Sequence, residues 1–170
     1  VYTLQLILVG FVLWYTFSYN AQQIRPLIPA LQSWWMKLHV PANFIGYGAF
    51  CLAAFLGVAE LMKLRRPSLR LPEAEVIEEA MYQAIAIGFL FFTVATVLGA
   101  LWAADAWGRY WSWDPKENWA LVVWLNYAAW LHIRLVRGWG GKPLAWWAII
   151  GFFITAFAFI GVNMFLGGLH

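Results

Sequence analysis

The residues best suited to chemistry in this chain are three histidines and a dense group of tryptophans. The histidines are His39, His132 and His170, and a neutral imidazole is a common ligand of metal ions in proteins. Residues 102–119 contain five of the 13 tryptophans of the chain. Aromatic rings at this density can form a broad apolar surface. Together these residue types suggest a site for a flat ligand that carries a metal.

Both features also have ordinary explanations. Tryptophan gathers at membrane interfaces because its ring is amphipathic, and a histidine in a loop is commonly just solvated. A belt of interfacial tryptophans would place single rings at several helix ends, and it does not predict five within residues 102–119. We therefore favour a ligand platform for this segment and keep simple membrane anchoring as the alternative.

The composition indicates that a membrane protein holds these residues. Of the 170 residues, 64% are hydrophobic and only 11% are charged, whereas soluble domains carry about a quarter charged residues. Such an apolar chain is not intrinsically disordered, and a net charge of only +3 argues against a nucleic-acid-binding domain. A single cysteine, Cys51, excludes an intrachain disulfide framework.

Five apolar stretches are long enough to cross a bilayer as helices, which takes about 20 residues. They are residues 1–19, 42–62, 81–102, 115–133 and 144–165. A β-barrel is excluded because barrel strands alternate apolar and polar residues over about ten positions. We predict an all-α fold, a polytopic transmembrane helical bundle of residues 1–170 that is one membrane domain of a longer protein. The glutamate cluster at residues 73–79 is expected to form the solvated start of the third span.

The distribution of Lys and Arg predicts the orientation. The second and fourth connections hold seven of these residues and the first and third hold four, so the positive-inside rule places the second and fourth connections in the cytoplasm. His39, in the first connection, and His170, after the fifth span, are then expected at the outer face, as is the tryptophan-rich third connection. His132 lies at the inner end of the fourth span. An ionisable residue within a span is by default a functional candidate.

Asp114, Pro115 and Glu117 lie at the end of the tryptophan-rich connection. Their spacing is that of an N-cap, a proline at the first helical position and the carboxylate of a capping box. It predicts that the fourth helix begins at Pro115 and that the two acids shape the turn that orients the tryptophans. General acid–base catalysis by the same carboxylates is the less favoured interpretation.

A flat macrocycle with a central metal would use the outer histidines and the tryptophans together. Haem iron takes axial imidazole ligands, and the apolar faces of a porphyrin stack on aromatic rings. These properties suggest haem, with His39 and His170 as candidate axial ligands. Three basic residues are candidates to pair with the haem propionates: Arg109, Lys116 and Lys37.

The motif W-G-x-x-W-x-W-D-x-x-E, from Trp107 to Glu117, resembles the WWD signature of the haem-handling proteins of cytochrome c maturation. Its flanks are most similar to the CcsA/ResC branch of the system II cytochrome c synthetase. The supporting segments are Leu31-Gln32-Ser33, His39-Val40, Gly46-Tyr47-Gly48, Leu131-His132, Gly161-Val162-Asn163 and Gly168-Leu169-His170. The resemblance covers residues 27–170, and Asn118 departs from the more usual Thr.

The resemblance implies a role for each candidate residue. His39 and His170 correspond to two outward-facing histidines that hold haem b (iron protoporphyrin IX), and His132 corresponds to a transmembrane histidine of an inner haem site. The WWD segment, residues 102–119, would supply the haem-binding surface. The residues of this surface are Trp107, Tyr110, Trp111, Trp113, Asp114, Glu117 and Trp119.

The resemblance also implies a function, that of a haem lyase subunit in a cytochrome c synthetase. Haem would cross the membrane to the outer face, where its vinyl groups form thioethers with the CxxCH motif of apocytochrome c. Expected partners are a CcsB/ResB-like membrane protein, which would supply the second inner histidine, and thioredoxin-like proteins that reduce thiols. The expected location is the bacterial cytoplasmic membrane or the thylakoid membrane, with His39 and His170 on the periplasmic or outer side and His132 near the cytoplasm.

Three other functions stay open at this point. A CcmC-type haem delivery protein, which has no lyase activity, would share the WWD loop and both outer histidines. A b-type cytochrome subunit of an electron-transfer complex also holds haem with two histidines, although these normally lie within the spans. A generic transporter is less favoured, since nothing in the sequence resembles paired repeats or discontinuous helices.

Overall fold

A computed structural model of the chain describes residues 2–18 and 32–166. The regular structure within these two ranges is entirely helical, which confirms the predicted all-α class. The chain divides into two compact units, Val1–Gln32 and Ser33–His170.

The first unit contains one helix, α1 (Tyr2–Ser18), of 17 residues. At a rise of 1.5 Å per residue it is about 26 Å long, at the short end of what spans the hydrocarbon core. It coincides closely with the first predicted stretch, residues 1–19.

The second unit contains four long apolar helices, each long enough to cross a membrane. They are α2 (Trp34–Arg65), α3 (Ala74–Trp107), α4 (Pro115–Arg137), and α5 (Lys142–Ala156), which continues through a π-helical turn (Phe157–Gly161) into α6 (Val162–Phe165). Because these helices are long and apolar, the chain is an integral membrane protein. They correspond to the second to fifth predicted stretches.

Consecutive helices of the second unit run antiparallel. The Trp124 indole on α4 donates to the Thr93 hydroxyl on α3 at 2.9 Å, and the buried Trp130 indole, further along α4, donates to the Leu144 carbonyl at the start of α5 at 3.0 Å. Between α2 and α4, the rings of Phe50 and Tyr127 stack with their centroids 3.6 Å apart. Buried aromatic side chains therefore fill the middle of this unit.

The start of α2 differs from the prediction. The helix begins at Trp34, eight residues before the predicted residue 42, because the Ser33 hydroxyl caps it by accepting from the Trp35 N–H at 3.3 Å. Pro41 lies inside the helix, where it removes one backbone donor without ending the helix. The expected loop position of His39 is therefore wrong, since His39 lies in the second turn of α2.

The antiparallel arrangement gives the second unit two ends. We call one the tryptophan end; it comprises the start of α2, the end of α3, the start of α4 and the π-helical turn. We call the other the arginine end; it comprises the start of α3, the end of α4 around Arg134, and the connection to α5.

Candidate functional site

The tryptophan-rich segment begins where α3 ends. Trp107 is the last residue of α3, and Gly108 terminates the helix with a φ of 77°, a left-handed conformation that glycine adopts without steric cost. The Gly108 N–H donates to the Ala104 carbonyl at 2.9 Å. The chain then crosses to α4 through residues 108–114, which we call the tryptophan turn.

Glu117 and Asp114 hold the tryptophan turn in place. The Glu117 carboxylate accepts from the Ser112 N–H at 2.7 Å and from the Asp114 N–H at 3.1 Å. The buried Asp114 carboxylate accepts from the Lys116 N–H at 3.0 Å. With Pro115 as the first helical residue, these bonds form a capping box. The predicted helix start and the predicted capping role of both acids are confirmed.

Trp113 lies in a strained part of this turn. Its φ is 60°, a left-handed conformation that is unfavourable for a residue with a large side chain. The Asn118 side-chain amide donates to the Trp113 carbonyl at 2.9 Å, and the bonds of Glu117 fix the backbone on either side. The indole on this constrained backbone is 69% exposed, so Trp113 is a candidate for a functional role.

The aromatic rings form edge-to-face pairs and not one continuous flat layer. Trp111 and Trp113 have ring planes at 86° with centroids 6.0 Å apart, and Trp102 and Trp107 are arranged in the same way at 81°. Tyr110 is 63% exposed. In each of these pairs one ring is exposed, Trp113 in the first and Trp107 in the second, and its partner is more buried.

The remaining predicted surface residues lie around this turn in different ways. Trp119 packs against Phe157 of the π-helical turn, with ring centroids 4.6 Å apart, and so lies away from the exposed rings. Arg109 is exposed on the turn, Lys116 is half-buried in the first turn of α4, and the Lys37 ammonium lies 5.8 Å from the centroid of the Trp34 ring.

His39 is fixed between α2 and α3. Its Nδ1 lies 2.7 Å from the Ala95 carbonyl oxygen, and its Nε2 lies 3.0 Å from the side-chain nitrogen of Asn43. A carbonyl oxygen can only accept, so Nδ1 carries the proton, and a neutral ring then has its lone pair on Nε2. A histidine whose Nδ1–H bonds to a backbone carbonyl is oriented to bind a metal through Nε2.

Gly99 gives the His39 ring its space. A Cβ atom at residue 99 would lie 2.9 Å from the ring Cε1 and 3.0 Å from Nδ1, so any larger residue would displace the imidazole. Ala95 and Gly99 lie one turn apart on α3, and Trp102 follows within the next turn. The same stretch of α3 therefore orients the imidazole and leads into the tryptophan-rich segment.

His132 lies far from this arrangement, near the end of α4, with an exposed side chain. Seventeen residues separate it from Pro115, which is about 26 Å along the helix axis. The structure therefore separates His39 and His132 to opposite ends of the second unit, as predicted. His170 lies outside the described residues. Within the described part of the chain, no three His, Cys, Asp or Glu side chains gather into a metal-ion site.

Polar contacts across helices hold the arginine end together. The Arg134 guanidinium forms an ion pair with Glu78 at 2.8 Å and lies 3.8 Å from Glu79. Glu78 also accepts from the Gly141 N–H at 2.8 Å. The side chain of Glu78 is only 17% exposed, so the expectation of a fully solvated glutamate cluster is wrong for this residue.

Sequence reasoning missed two residues at the tryptophan end, Asn43 and Gly99. Asn43 lies four residues after His39, which places the two on one face of a helix, but this signal is visible only when residues 34–42 are recognised as helical. The contact of Gly99 with His39 has no local signal, because it depends on how α2 packs against α3.

Comparison with known proteins places the whole chain in one family. The family model described as cytochrome C assembly protein matches residues 1–170. The chain is 39% identical to the cytochrome c biogenesis protein CcsA of Parasynechococcus marenigrum (strain WH8102), over 88% of this chain and 58% of that protein. It is 40% identical to the protein of the same name from Chlamydomonas reinhardtii, over 88% of this chain and 43% of that protein.

The match leaves part of each relative uncovered. A third relative, the CcsA protein of Synechococcus sp. (strain CC9605), is 39% identical over 88% of this chain and 59% of its own length. The chain thus spans between about two-fifths and three-fifths of the length of these curated relatives. Because the family model extends over every residue, the chain belongs to the cytochrome c assembly protein family.

Proposed function

We propose that this chain handles haem b in cytochrome c maturation and presents it at the tryptophan end for attachment to apocytochrome c. The observation that carries the proposal is the setting of His39. Its Nδ1–H is engaged by the Ala95 carbonyl at 2.7 Å, which leaves the Nε2 lone pair as the metal-binding group. The exposed ring of Trp107 ends α3, and those of Tyr110 and Trp113 follow on the tryptophan turn.

His39 and His170 are the proposed axial ligands of the iron at this outer site. The assignment of His39 is supported by its orientation, and that of His170 by the resemblance of the Gly168-Leu169-His170 segment to the WWD family. Exposed aromatic faces would stack on the apolar porphyrin. Arg109, Lys116 and Lys37 are the proposed partners of the propionates. The Asp114–Glu117 capping box holds the turn in shape, and we assign it this structural role in preference to proton transfer.

The chemistry proposed at this site is addition of thiols to the haem vinyl groups. In each addition a cysteine S–H of the CxxCH motif adds across one vinyl C=C bond. Sulfur bonds to one carbon and the proton goes to the other, so no oxidant is consumed. The chain contributes mainly by positioning, since it holds haem so that its edge is open to a second protein.

His132 is proposed to serve an inner haem site at the arginine end. Its side chain is exposed on α4, a position that lets a neighbouring membrane protein reach it. A CcsB/ResB-like partner would provide the second imidazole there, and thioredoxin-like proteins would keep the cysteines of apocytochrome c reduced. The excess of Lys and Arg in the second and fourth connections supports a cytoplasmic arginine end and an outer tryptophan end, in a bacterial or thylakoid membrane.

The test is the haem spectrum of histidine variants purified in detergent. We expect the double variant His39→Ala, His170→Ala to lose the bis-imidazole spectrum of outer haem and to keep any haem held at His132. His132→Ala should show the reverse. An unchanged bis-imidazole spectrum in the double variant would contradict the assignment of the outer ligands.

Lyase activity requires a separate assay, because a haem delivery protein of the CcmC type would give the same spectra. The chain is expressed together with a CcsB/ResB-like protein and a CxxCH reporter. Haem that stays on the reporter in denaturing gels demonstrates thioether formation. We expect the amount of this covalent haem to depend on His39. If the reporter carries no covalent haem and the chain co-purifies with a small haem chaperone, the delivery function is favoured.

A further inference from the structure

Asn43 is placed to control access to the metal-binding nitrogen of His39. It lies four residues after His39 on α2, so both side chains leave the same face of the helix. The Asn43 side-chain nitrogen is 3.0 Å from Nε2 of His39. Both side chains are half-buried, so bulk water does not compete freely for this bond.

The direction of the hydrogen bond between Asn43 and His39 follows from the bond that Nδ1, the other ring nitrogen, makes. Since Nδ1–H donates to the Ala95 carbonyl, Nε2 of the neutral ring must accept, and the Asn43 amide must donate. The amide oxygen of Asn43 then points elsewhere, where it is buried and has no hydrogen-bond partner. An unpartnered buried carbonyl costs free energy, so the amide orientation is set by His39 and not by its own surroundings.

The Nε2 lone pair can serve only one partner at a time, the amide N–H or an iron atom. The imidazole is held by Ala95 and confined by Gly99, whereas the Asn43 amide can turn about its own side-chain bonds. We propose that Asn43 is a positioning residue that acts as an exchangeable cap on Nε2 of His39. This proposal rests on the proposed function, in which His39 is an iron ligand.

The cap lowers the cost of releasing haem. When iron leaves, the Asn43 amide donates a hydrogen bond to the nitrogen that has lost the metal. The same amide competes with iron for binding. This competition suits a site that must give up its haem to a second protein.

Two substitutions of Asn43 shift this balance in opposite directions. Asn43→Leu keeps the size of the side chain and removes the donor, so haem release should slow about fivefold, which corresponds to about 1 kcal/mol for one hydrogen bond. Asn43→Asp can only accept, so it favours a proton on Nε2 and opposes iron there. Its haem release should become at least about fivefold faster.

The experiment follows haem transfer from each purified variant to excess apomyoglobin by absorbance. Where Asn43→Asp takes up too little haem for kinetics, equilibrium haem titration supplies the comparison, and a lower affinity counts as the expected result. Thr93→Val is the control, because the bond it removes joins α3 to Trp124 on α4, whereas His39 is held between α2 and α3. Melting temperatures verify that each variant is folded. If Asn43→Leu does not fold, Asn43→Ala is measured instead.

Opposite shifts of the Leu and Asp variants, with Thr93→Val at the wild-type rate, support the cap. If both variants shift in the same direction, Asn43 acts through packing and the cap proposal is overturned. Wild-type rates of haem release in both variants would also overturn it. A separate His39→Ala measurement distinguishes this failure from failure of the proposed function. If His39→Ala loses the bis-imidazole spectrum while both Asn43 variants behave as wild type, the cap is refuted and the haem site stands. If His39→Ala keeps that spectrum, the proposed function itself fails.

Discussion

In the tryptophan turn, side-chain hydrogen bonds connect residues that are close in sequence, whereas the arginine end also contains a hydrogen bond and ion pairs between different helices. Ser112 and Glu117 are separated by five positions, while Glu78 and Gly141 are separated by 63. The local bonds fix a backbone shape and leave rings exposed. The long-range bonds tie α3, α4 and the start of α5 together. The tryptophan turn is thus suited to presenting exposed aromatic rings, and the arginine end to holding the helices together.

This comparison predicts that damage to the arginine end affects stability most. Replacing Arg134 by Leu leaves Glu78 without its cation and removes the donor to the Trp139 carbonyl. The side chains of Arg134 and Glu78 are 25% and 17% exposed. We therefore expect the free energy of unfolding to fall by about 2–3 kcal/mol, which is less than the loss from breaking a fully buried ion pair. Thermal unfolding in detergent measures it.

Arg137→Leu is the matched control for this prediction. Arg137 is exposed in the last turn of the same helix, so its loss should cost less than about 1 kcal/mol. Equal melting temperatures for the two variants would show that the ion pairs do not hold the arginine end together. The outer haem spectrum of folded Arg134→Leu should match that of the wild type.

The second prediction concerns the cradle of His39. Gly99→Ala forces a Cβ against the imidazole, and the resulting overpacking, less the gain in helix propensity, should cost about 1–2 kcal/mol. The displaced ring should also lose its orientation, so outer haem should bind less tightly in equilibrium titrations. Gly48→Ala, where a Cβ meets no atom within 4 Å, should be neutral or stabilising and should keep haem. Unchanged haem affinity in Gly99→Ala would show that His39 is not part of the haem site.

The third prediction tests whether Asp114 has a structural or a chemical role. Asp114→Ala removes the N-cap of α4 and should cost about 1 kcal/mol. Asp114→Asn keeps a good N-cap and should be close to wild type in stability, haem content and covalent attachment. Folded Asp114→Asn that binds haem but attaches none would contradict the capping interpretation and assign the carboxylate a part in the reaction.

Sequence predicted the features that short-range chemistry determines. Apolar length gave the spans, and the Asp114-Pro115-x-Glu117 spacing placed the start of α4, because a capping box is complete within four residues. The start of α2 was missed, because the predicted span was placed by its apolar length, whereas the helix begins eight residues earlier at the Ser33 cap and continues through Pro41.

Contacts between helices could not be predicted in the same way. The Arg134–Glu78 pair and the position of the His39 ring against Gly99 depend on how the helices pack. No periodicity in one segment specifies which residue of another helix it will face. The edge-to-face arrangement of Trp111 and Trp113 was missed for a related reason, because it depends on the backbone path of the turn that follows Gly108.

The smallest effect on stability is expected at Trp113, where the strain of the backbone and the role of the indole can be measured separately. Trp113→Gly relieves the strain of a φ of 60°, so it should be more stable than Trp113→Ala by about 0.5–1 kcal/mol. Both variants lack the exposed indole and should bind outer haem less tightly than the wild type. If the ring were only a membrane anchor, both would bind haem as the wild type does. Because both variants lack the indole and differ in backbone strain, an equal loss of haem binding with unequal stability would assign the binding to the ring and the difference in stability to the φ of 60°.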